Sequence, residues 1–552
     1  MPAPRASLAL TAAAALFALT ACSSGGGNGG DDSSAAPKLT TTTPAAGGSL
    51  DRVTWNLPMG EPSTLDPAKV GDYSPNTVEA NLCDPLLRLR ADYSIAPGLA
   101  TAWHQPDPKT LVLDLRKGVT FWDGRPMTAA DVVASLRRQQ DPATQSVNTA
   151  ALANVSSITA SGDHQVTVRF RVPDALFLKN LVNGFGAVNE AAYLKKAGTS
   201  YGTAKGGLMC TGPFRLTSWR SGDAITVTRN DRYWDTSLRP KAKTVEFKFI
   251  TDGSTLTAAL LSGQIDGSYE ISSTSARALR NSDIGTLYYG PSAQTVFLYP
   301  TSPDSPLADP RVAQALSLVT DRDALISNVF DGAARKQKTF MPQLIWKNGD
   351  AAKVYAKGYD ALPPVPAVDV AKAKKLVGEA APRRRTITVA TAAGDQQSLQ
   401  TLTFLRAGAE KIGLKIDIKQ LQPTQLSGLF YDPTLRKGLD ATMVLGYVEV
   451  PDPIGYVDMF TSPKSPLNWT HYDNGKVVSL LERARASTDP AASAELFNQA
   501  QSLYSKDLPI VPIVNPYERM FLNKRLSGAP ASFAYINMPW AALLGATGKG
   551  DS

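Results

Sequence analysis

Leu111-Val-Leu-Asp-Leu-Arg-Lys-Gly-Val-Thr-Phe-Trp-Asp-Gly-Arg-Pro-Met-Thr-Ala-Ala-Asp-Val132 holds a strand, a turn and a helix start in one uninterrupted run. Leu111, Leu113 and Leu115 fall on one face of an extended segment, as in a half-buried strand. The chain then delivers Phe121 and Trp122, and Asp123-Gly124 turns it. Thr128 followed by Asp131 is a capping-box start, with Val132, Val133 and Leu136 on one face of the helix it opens. Just upstream lies Pro97-Gly-Leu-Ala-Thr-Ala-Trp103.

The same alternation recurs at Val166/Val168/Phe170, Ile225/Val227, Val245/Phe247/Phe249 and Leu414/Ile416/Ile418. Helical spacing lies between these strands. Asp309-Pro310 reads as an N-cap and first-turn proline ahead of Val312, Ala315, Leu316 and Val319. Asp369 to Glu379 and Lys476 to Ala486 read as further amphipathic helices, the latter with Val477, Leu480 and Leu481 inward. No repeat of 20 to 50 residues is present, which argues against a solenoid or propeller. The body of the chain is mixed α/β.

A chain of 552 residues would ordinarily divide into about three or four domains. Hydrophobic residues at 43% and charged residues at 19% exclude wholesale disorder and a multi-span membrane protein. Lys plus Arg exceed Asp plus Glu by 57 to 49, a net +8. That excess is spread thinly, its only cluster being Arg383-Arg384-Arg385, so nucleic acid is not an expected partner. Three histidines and three cysteines leave little for a transition-metal site, and no cofactor is implied.

The first residues set an address. Arg5 precedes an apolar run from Leu8 to Ala21, too short for a comfortable transmembrane helix but suited to a signal peptide. Leu19-Thr-Ala-Cys22 resembles a bacterial lipobox, in which the cysteine thiol receives a diacylglycerol. Residues 1–21 are therefore expected to be a lipoprotein signal, and residues 22–48, mostly Gly, Ser, Thr, Asp and Ala, a disordered tether. The expected location is the extracytoplasmic face of the cell membrane, anchored through Cys22. Cys83 and Cys210 remain, and an even pair in an exported protein suggests a disulfide. Closing so long a loop would contribute on the order of 4–5 kcal/mol at most. Two buried free thiols are the alternative, since sequence does not give their separation.

The order of the motifs resembles the family 5 extracellular solute-binding proteins of ABC transporters, which include oligopeptide, dipeptide and nickel binders. The stretch from Pro97 to Val132 is the densest match. Thr64-Leu-Asp-Pro67, Thr211-Gly-Pro-Phe214, Arg229-Asn-Asp-Arg-Tyr-Trp234, Leu260-Leu-Ser-Gly-Gln-Ile-Asp266 and Asp309-Pro-Arg-Val-Ala-Gln-Ala-Leu316 follow in the family's order. The resemblance covers about residues 50 to 540. It implies a periplasmic-binding-protein-like, two-lobed Venus flytrap of class II and the large peptide-binder type. The first lobe would hold 49–295, with an extra subdomain at about 85–205. The second would hold 296–510, and 511–552 would return to the first. The implied mechanism is ligand-gated closure followed by docking on an ABC permease and its ATPase, with the binding protein acting as a monomer.

In the family's peptide binders a carboxylate in the second lobe pairs with the peptide's α-ammonium. The matching position is Glu449, within Gly446-Tyr-Val-Glu-Val-Pro-Asp-Pro453. The motif's usual tryptophan is absent; Gly446 stands there with Tyr447 beside it, and Asp452 is a second candidate acid. Tyr73, Asn81 and Trp122 are the expected contributors from the first lobe. Trp469 is expected at the cleft rim, with His471 in the same loop. The implied ligand is a short peptide or related amine-bearing solute.

Two other classes share parts of this pattern. A membrane-anchored hydrolase would need a nucleophile, and Gly198-Thr-Ser-Tyr-Gly202 matches G-x-S-x-G. That elbow requires a strand before the serine, whereas Ala191 to Ala197 reads as helix. No H-E-x-x-H, C-x-x-C or phosphate-cradling loop is present. A peptide-sensing surface receptor that feeds no transporter would have the same anchored cleft.

Overall fold

The computed structural model describes residues 36–380, 382 and 384–548. The signal segment and Cys22 lie outside them. Two large sheets organise the rest. The first has seven strands in the spatial order Gly285–Gly290, Glu518–Asn523, Gly267–Ser268, Leu50–Asn56, Ala242–Lys248, Ala224–Arg229 and Phe214–Arg220. Leu50–Asn56 runs parallel to both its neighbours, and the remaining pairings are antiparallel. The second sheet has six strands: Ala334–Lys336, Val511–Pro516, Gln294–Pro300, Ala441–Tyr447, Thr386–Ala392 and Lys415–Leu421.

A four-stranded antiparallel sheet of Ala100–Asp107, Thr110–Leu115, Gln165–Phe170 and Val155–Ala160 forms the extra subdomain. Helix Ala129–Arg137 packs on it, and its capping box joins Thr128 to Asp131 as the sequence predicts. Local signals are equally direct elsewhere. The Asp309 side chain accepts from Arg311 N ahead of helix Pro310–Val319, which buries Val312, Ala315, Leu316 and Val319. Cys83 and Cys210 are joined in a disulfide with their Cα atoms 4.9 Å apart.

The chain passes between the sheets twice. Gly285–Gly290 belongs to the first sheet and Gln294–Pro300 to the second, so residues 291–293 form the outward crossing. Val511–Pro516 belongs to the second and Glu518–Asn523 to the first, so Tyr517 alone makes the return. The flanking strands are neighbours in both sheets, which sets the crossings side by side. Asn515 ties them, donating to Gln294 O at 2.6 Å and Ser292 O at 3.2 Å.

These positions differ from the expected boundaries: Gln294, Thr295 and residues 511–516 pair within the second lobe. Burial continues through each crossing although the residues there are polar or turn-like: all seven residues of Gln294–Pro300 are buried, and so are Asn515, Glu518 and Arg519, so burial does not mark the change of sheet. The ordered body also starts earlier than expected. Leu39 bridges Tyr289, Thr42 bridges Pro530, and Gly48 bridges Ala546. Backbone pairing of this kind needs no apolar side chains, so a Gly/Thr-rich composition does not betray it.

Candidate ligand-binding site

Glu449 follows strand Ala441–Tyr447, and its backbone is pinned on both sides. Val448 N donates to Ala293 O at 3.1 Å, and Asn537 Nδ2 donates to Glu449 O at 3.1 Å. The side chain crosses from the second lobe into the first. Its Oε1 accepts from Asn76 Nδ2 at 3.1 Å and its Oε2 from Asn183 Nδ2 at 2.8 Å. Asn76 lies on helix Tyr73–Glu79, which Asp72 caps. Asn183 is held by its own Oδ1, which accepts from Phe185 N at 3.0 Å.

Both partners are neutral amides, and among the described residues no lysine or arginine pairs with Glu449. Burial raises its carboxyl above the usual glutamate range, while the Asn183 and Asn76 hydrogen bonds draw it partly back. Behind it, the fully buried Glu79 carboxyl is pushed up to about 8 by burial, and then by the charges of Asp66, Glu449 and Asp84. Asn76 Oδ1 and Glu79 Oε1, one helical turn apart, have no hydrogen-bond partner among the described residues. Asn76 therefore leaves an unpartnered acceptor beside the Glu449 carboxylate, while Ser74 Oγ and Trp55 Nε1 next to the adjoining cavity are unpartnered as well among the described residues.

Aromatic rings close over this point. Tyr447 meets Tyr73 edge-on at 4.8 Å and Phe533 at 5.5 Å, and its hydroxyl donates to Gly71 O at 2.9 Å. Gly446 leaves room for another ring, since a Cβ there would come within 2.1 Å of the Tyr456 hydroxyl. Tyr456 thus fills space beside the position where the motif's tryptophan is missing. A cavity of about 10 Å³, lined by Trp55, Tyr73, Ser74, Glu270 and Tyr535 among others, lies on the first-lobe side. It is about the size of one water.

At the flank of the seam two further carboxylates cross the lobes. Asp452 Oδ1 accepts from Ile454 N at 2.8 Å, and its Oδ2 meets the Lys179 ammonium of the extra subdomain. Asp174 caps helix Ala175–Asn180 through Leu176 N, and its Oδ2 is 2.7 Å from Arg485 Nη2 and 3.1 Å from Arg485 Nε.

Residues 94–468 match the model for bacterial extracellular solute-binding proteins, family 5. This match spans more than half of the chain. The chain belongs to that family. Among its relatives is the glutathione-binding protein GsiB of Shigella boydii serotype 4, 26% identical over 463 residues, covering 82% of this chain and 86% of the relative. In fold it is similar to DppA of Helicobacter pylori in complex with the peptide STSA. That structure gives a TM-score of 0.77 at 22% identity, covering 91% of this chain and 99% of the other. AgaA of A. tumefacien R10 in complex with agropinic acid gives the same TM-score and identity over the same shares. The two-lobed architecture is that of the periplasmic binding proteins.

Within this solute-binding protein the sequence-predicted residues fall into three places. Glu449, Tyr447 and Tyr73 come together at the seam. Asp452 is beside them but paired with Lys179. Trp122 and Asn81 lie inside the first lobe. Trp122 Nε1 donates to Gly212 O at 3.3 Å. Asn81 Oδ1 accepts from Ala541 N at 2.8 Å, and its Nδ2 donates to Thr77 O at 2.9 Å, securing the C-terminal tail under the helix. Trp469 stands apart, packed on Tyr299 and Phe430 with ring centroids 5.2 and 5.1 Å away. Ser200 follows helix Ala191–Ala197, and its hydroxyl donates to Ala197 O at 2.7 Å, so no strand-to-helix elbow surrounds it. Among the described residues no cluster of His, Cys, Asp or Glu is placed to hold a metal, and no helix is long and apolar enough to cross a membrane.

Asn76, Asn183, Lys179 and Arg485 were not legible as site residues. A lone amide in a helix or before a glycine has no spacing signature, and each acquires a role only when the lobes meet.

Proposed function

We propose that the protein captures a solute bearing a primary ammonium, a short peptide or a related amine, between its lobes. It then presents the closed complex to an ABC permease while held to the outer face of the membrane through lipidated Cys22. The observation that carries this reading is Glu449: a half-buried carboxylate facing the opposite lobe, served by two amides and, among the described residues, no cation. An ammonium brings three donors and one positive charge to a carboxylate with an unpartnered acceptor beside it. The names of the relatives support the class of ligand, since one binds glutathione and another structure holds a peptide. The lipobox supports the anchor.

The test is calorimetric titration of the mature protein with a panel of di- to pentapeptides, each with a free and an acetylated N-terminus. Free peptides should bind and their acetylated forms should not. Equal binding of both forms would remove the ammonium from the reading, and retention of an amine-free solute in native mass spectrometry would replace it. Labelling of Cys22 with a fatty-acid analogue in cells tests the anchor separately.

A further inference from the structure

The second lobe carries a basic groove at the end of its sheet remote from Glu449. Strands Gln294–Pro300 and Ala441–Tyr447 pair along their length, with Gln294 opposite Tyr447 at the seam and Pro300 opposite Ala441 at the far end. At about 3.3 Å per residue, seven-residue strands set the far end roughly 20 Å from the seam. There a groove of about 640 Å³ opens, lined by residues from 301–303, 433–440 and 463–471 together with Arg384.

Its charged side chains among the described residues are Arg384, Arg436, Lys437 and a single acid, Asp440. The Arg436 guanidinium lies 4.5 Å from the Trp469 ring centroid and has no ion-pair partner among the described residues. The nearest acid on its own loop, Asp432, is engaged by Thr434 N at 2.8 Å and Thr434 Oγ1 at 2.7 Å. Burial draws the guanidinium below the ordinary arginine value, only partly offset by Tyr299 and Asp432. Lys437 beside it is exposed. Arg384 pairs with Asp440 at 2.7 Å, and the other Asp440 oxygen accepts from Thr388 N at 2.8 Å, so the groove's one acid is already spent. Trp469, 4% exposed, has an indole N–H with no acceptor among the described residues. Pro303, Pro433, Pro463 and Pro466 supply rigid, apolar walls.

An arginine stacked on a lining tryptophan without a counter-ion among the described residues and a neighbouring exposed lysine share one complement. We propose that this groove binds a small organic anion, carboxylate- or phosphate-bearing, whose charge is taken by Arg436 and Lys437 and whose body rests against Trp469 and the prolines. The site is separate from the ammonium site, shares none of its residues, and stands or falls independently of it.

The experiment titrates the mature protein with citrate and, separately, with inorganic pyrophosphate in a chloride buffer. The indole N–H resonances are followed by two-dimensional NMR, with Trp469→Phe identifying the one that matters. Saturable binding of either anion with a shift of the Trp469 resonance is expected, and the responding probe distinguishes carboxylate from phosphate. Arg436→Gln should weaken it by about tenfold or more, and the exposed Lys437→Gln by about threefold, as for charge-assisted contacts. Glu449→Gln should leave it unchanged. Should Arg436→Gln fail to fold, the Lys437→Gln result decides. No saturable binding of either anion, no shift at Trp469, or affinity indifferent to both substitutions would overturn the proposal.

Discussion

Glu449 and Asp452 lie three residues apart in one loop, the first half-buried and the second buried, both reaching across to the other lobe, yet they meet different partners. Asp452 finds Lys179, and farther along the same flank Asp174 finds Arg485. Each of these carboxylates also caps a helix turn, so lone pairs and charge are both satisfied. Glu449 finds two asparagines. A buried charge is tolerated when paired and costly when not. The flank is therefore complete in itself and joins the lobes, whereas the centre has no cation of its own among the described residues.

The largest effect should come from removing the unmatched acid. Glu449→Gln is expected to cost an ammonium-bearing ligand about 2–4 kcal/mol, roughly a hundredfold or more in dissociation constant. The loss should spare the melting temperature of the ligand-free protein. Calorimetry and thermal melts on the same samples would show it, and a variant that binds as well as the parent would erase the distinction between centre and flank. The pH dependence should follow. Binding a cation requires the ionised carboxylate, and burial raises the Glu449 pKa, so affinity should fall as pH drops through that raised value.

Next in size is the flank. Asp452→Asn leaves Lys179 unpaired and should weaken closure by about 1–3 kcal/mol, less than a fully buried pair because parting lobes rehydrate the ammonium. Small-angle scattering should report a larger radius of gyration for the ligand-free variant. An unchanged radius would mean the pair does not hold the lobes.

Glu79 sharpens the contrast by its pH window. Its folded-state pKa of about 8 lies above the ordinary 4.5, so the folded protein keeps a proton that the unfolded chain loses. The resulting penalty grows as pH rises through that window. Glu79→Gln should be near neutral at pH 5 and stabilise the protein by about 1–3 kcal/mol at pH 8, on the scale of 1.36 kcal/mol per pKa unit. Denaturant melts at the two pH values would read the difference, and equal effects at both would refute it. The smallest change is Arg485→Lys. It keeps the charge opposite Asp174 but loses the two-pronged contact, for about 0.5–1 kcal/mol of stability. A loss as large as that of Asp452→Asn would show that geometry, not charge, secures the flank.

The sequence made local structure plain because local structure is decided locally. Thr128 with Asp131, and Asp309 with Pro310, start helices by chemistry contained within a few residues. The order of motifs from Leu65 to Leu316 carried the two-lobed fold and led to Glu449. It did not carry the points of crossing, because Gly290-Pro-Ser292 and Asn515-Pro-Tyr-Glu518 read like ordinary turns within one lobe. It put Glu449 ahead of Asp452 by place in the motif, but gave no physical ground that separates the two acids. Asp452 is the more turn-like of the two by its following proline, but what distinguishes it physically is Lys179, 273 residues away. Trp469 was legible as an aromatic in a loop, while its seat under Arg436 depends on where two loops converge.

The two crossings, residues 291–293 and Tyr517, lie side by side and are bound together by Asn515. Two fixed points define a line. Lobes joined at such points can swing about that line, but they can hardly slide or twist independently, because each displacement would have to break one junction while sparing the other. The motion then reduces to a single angle. Whatever occupies the seam is reported to the rest of the molecule as one number, how far the jaws stand apart. Under the proposed function, a membrane partner that recognised both outer surfaces together would need no contact with the cargo to know that it is there.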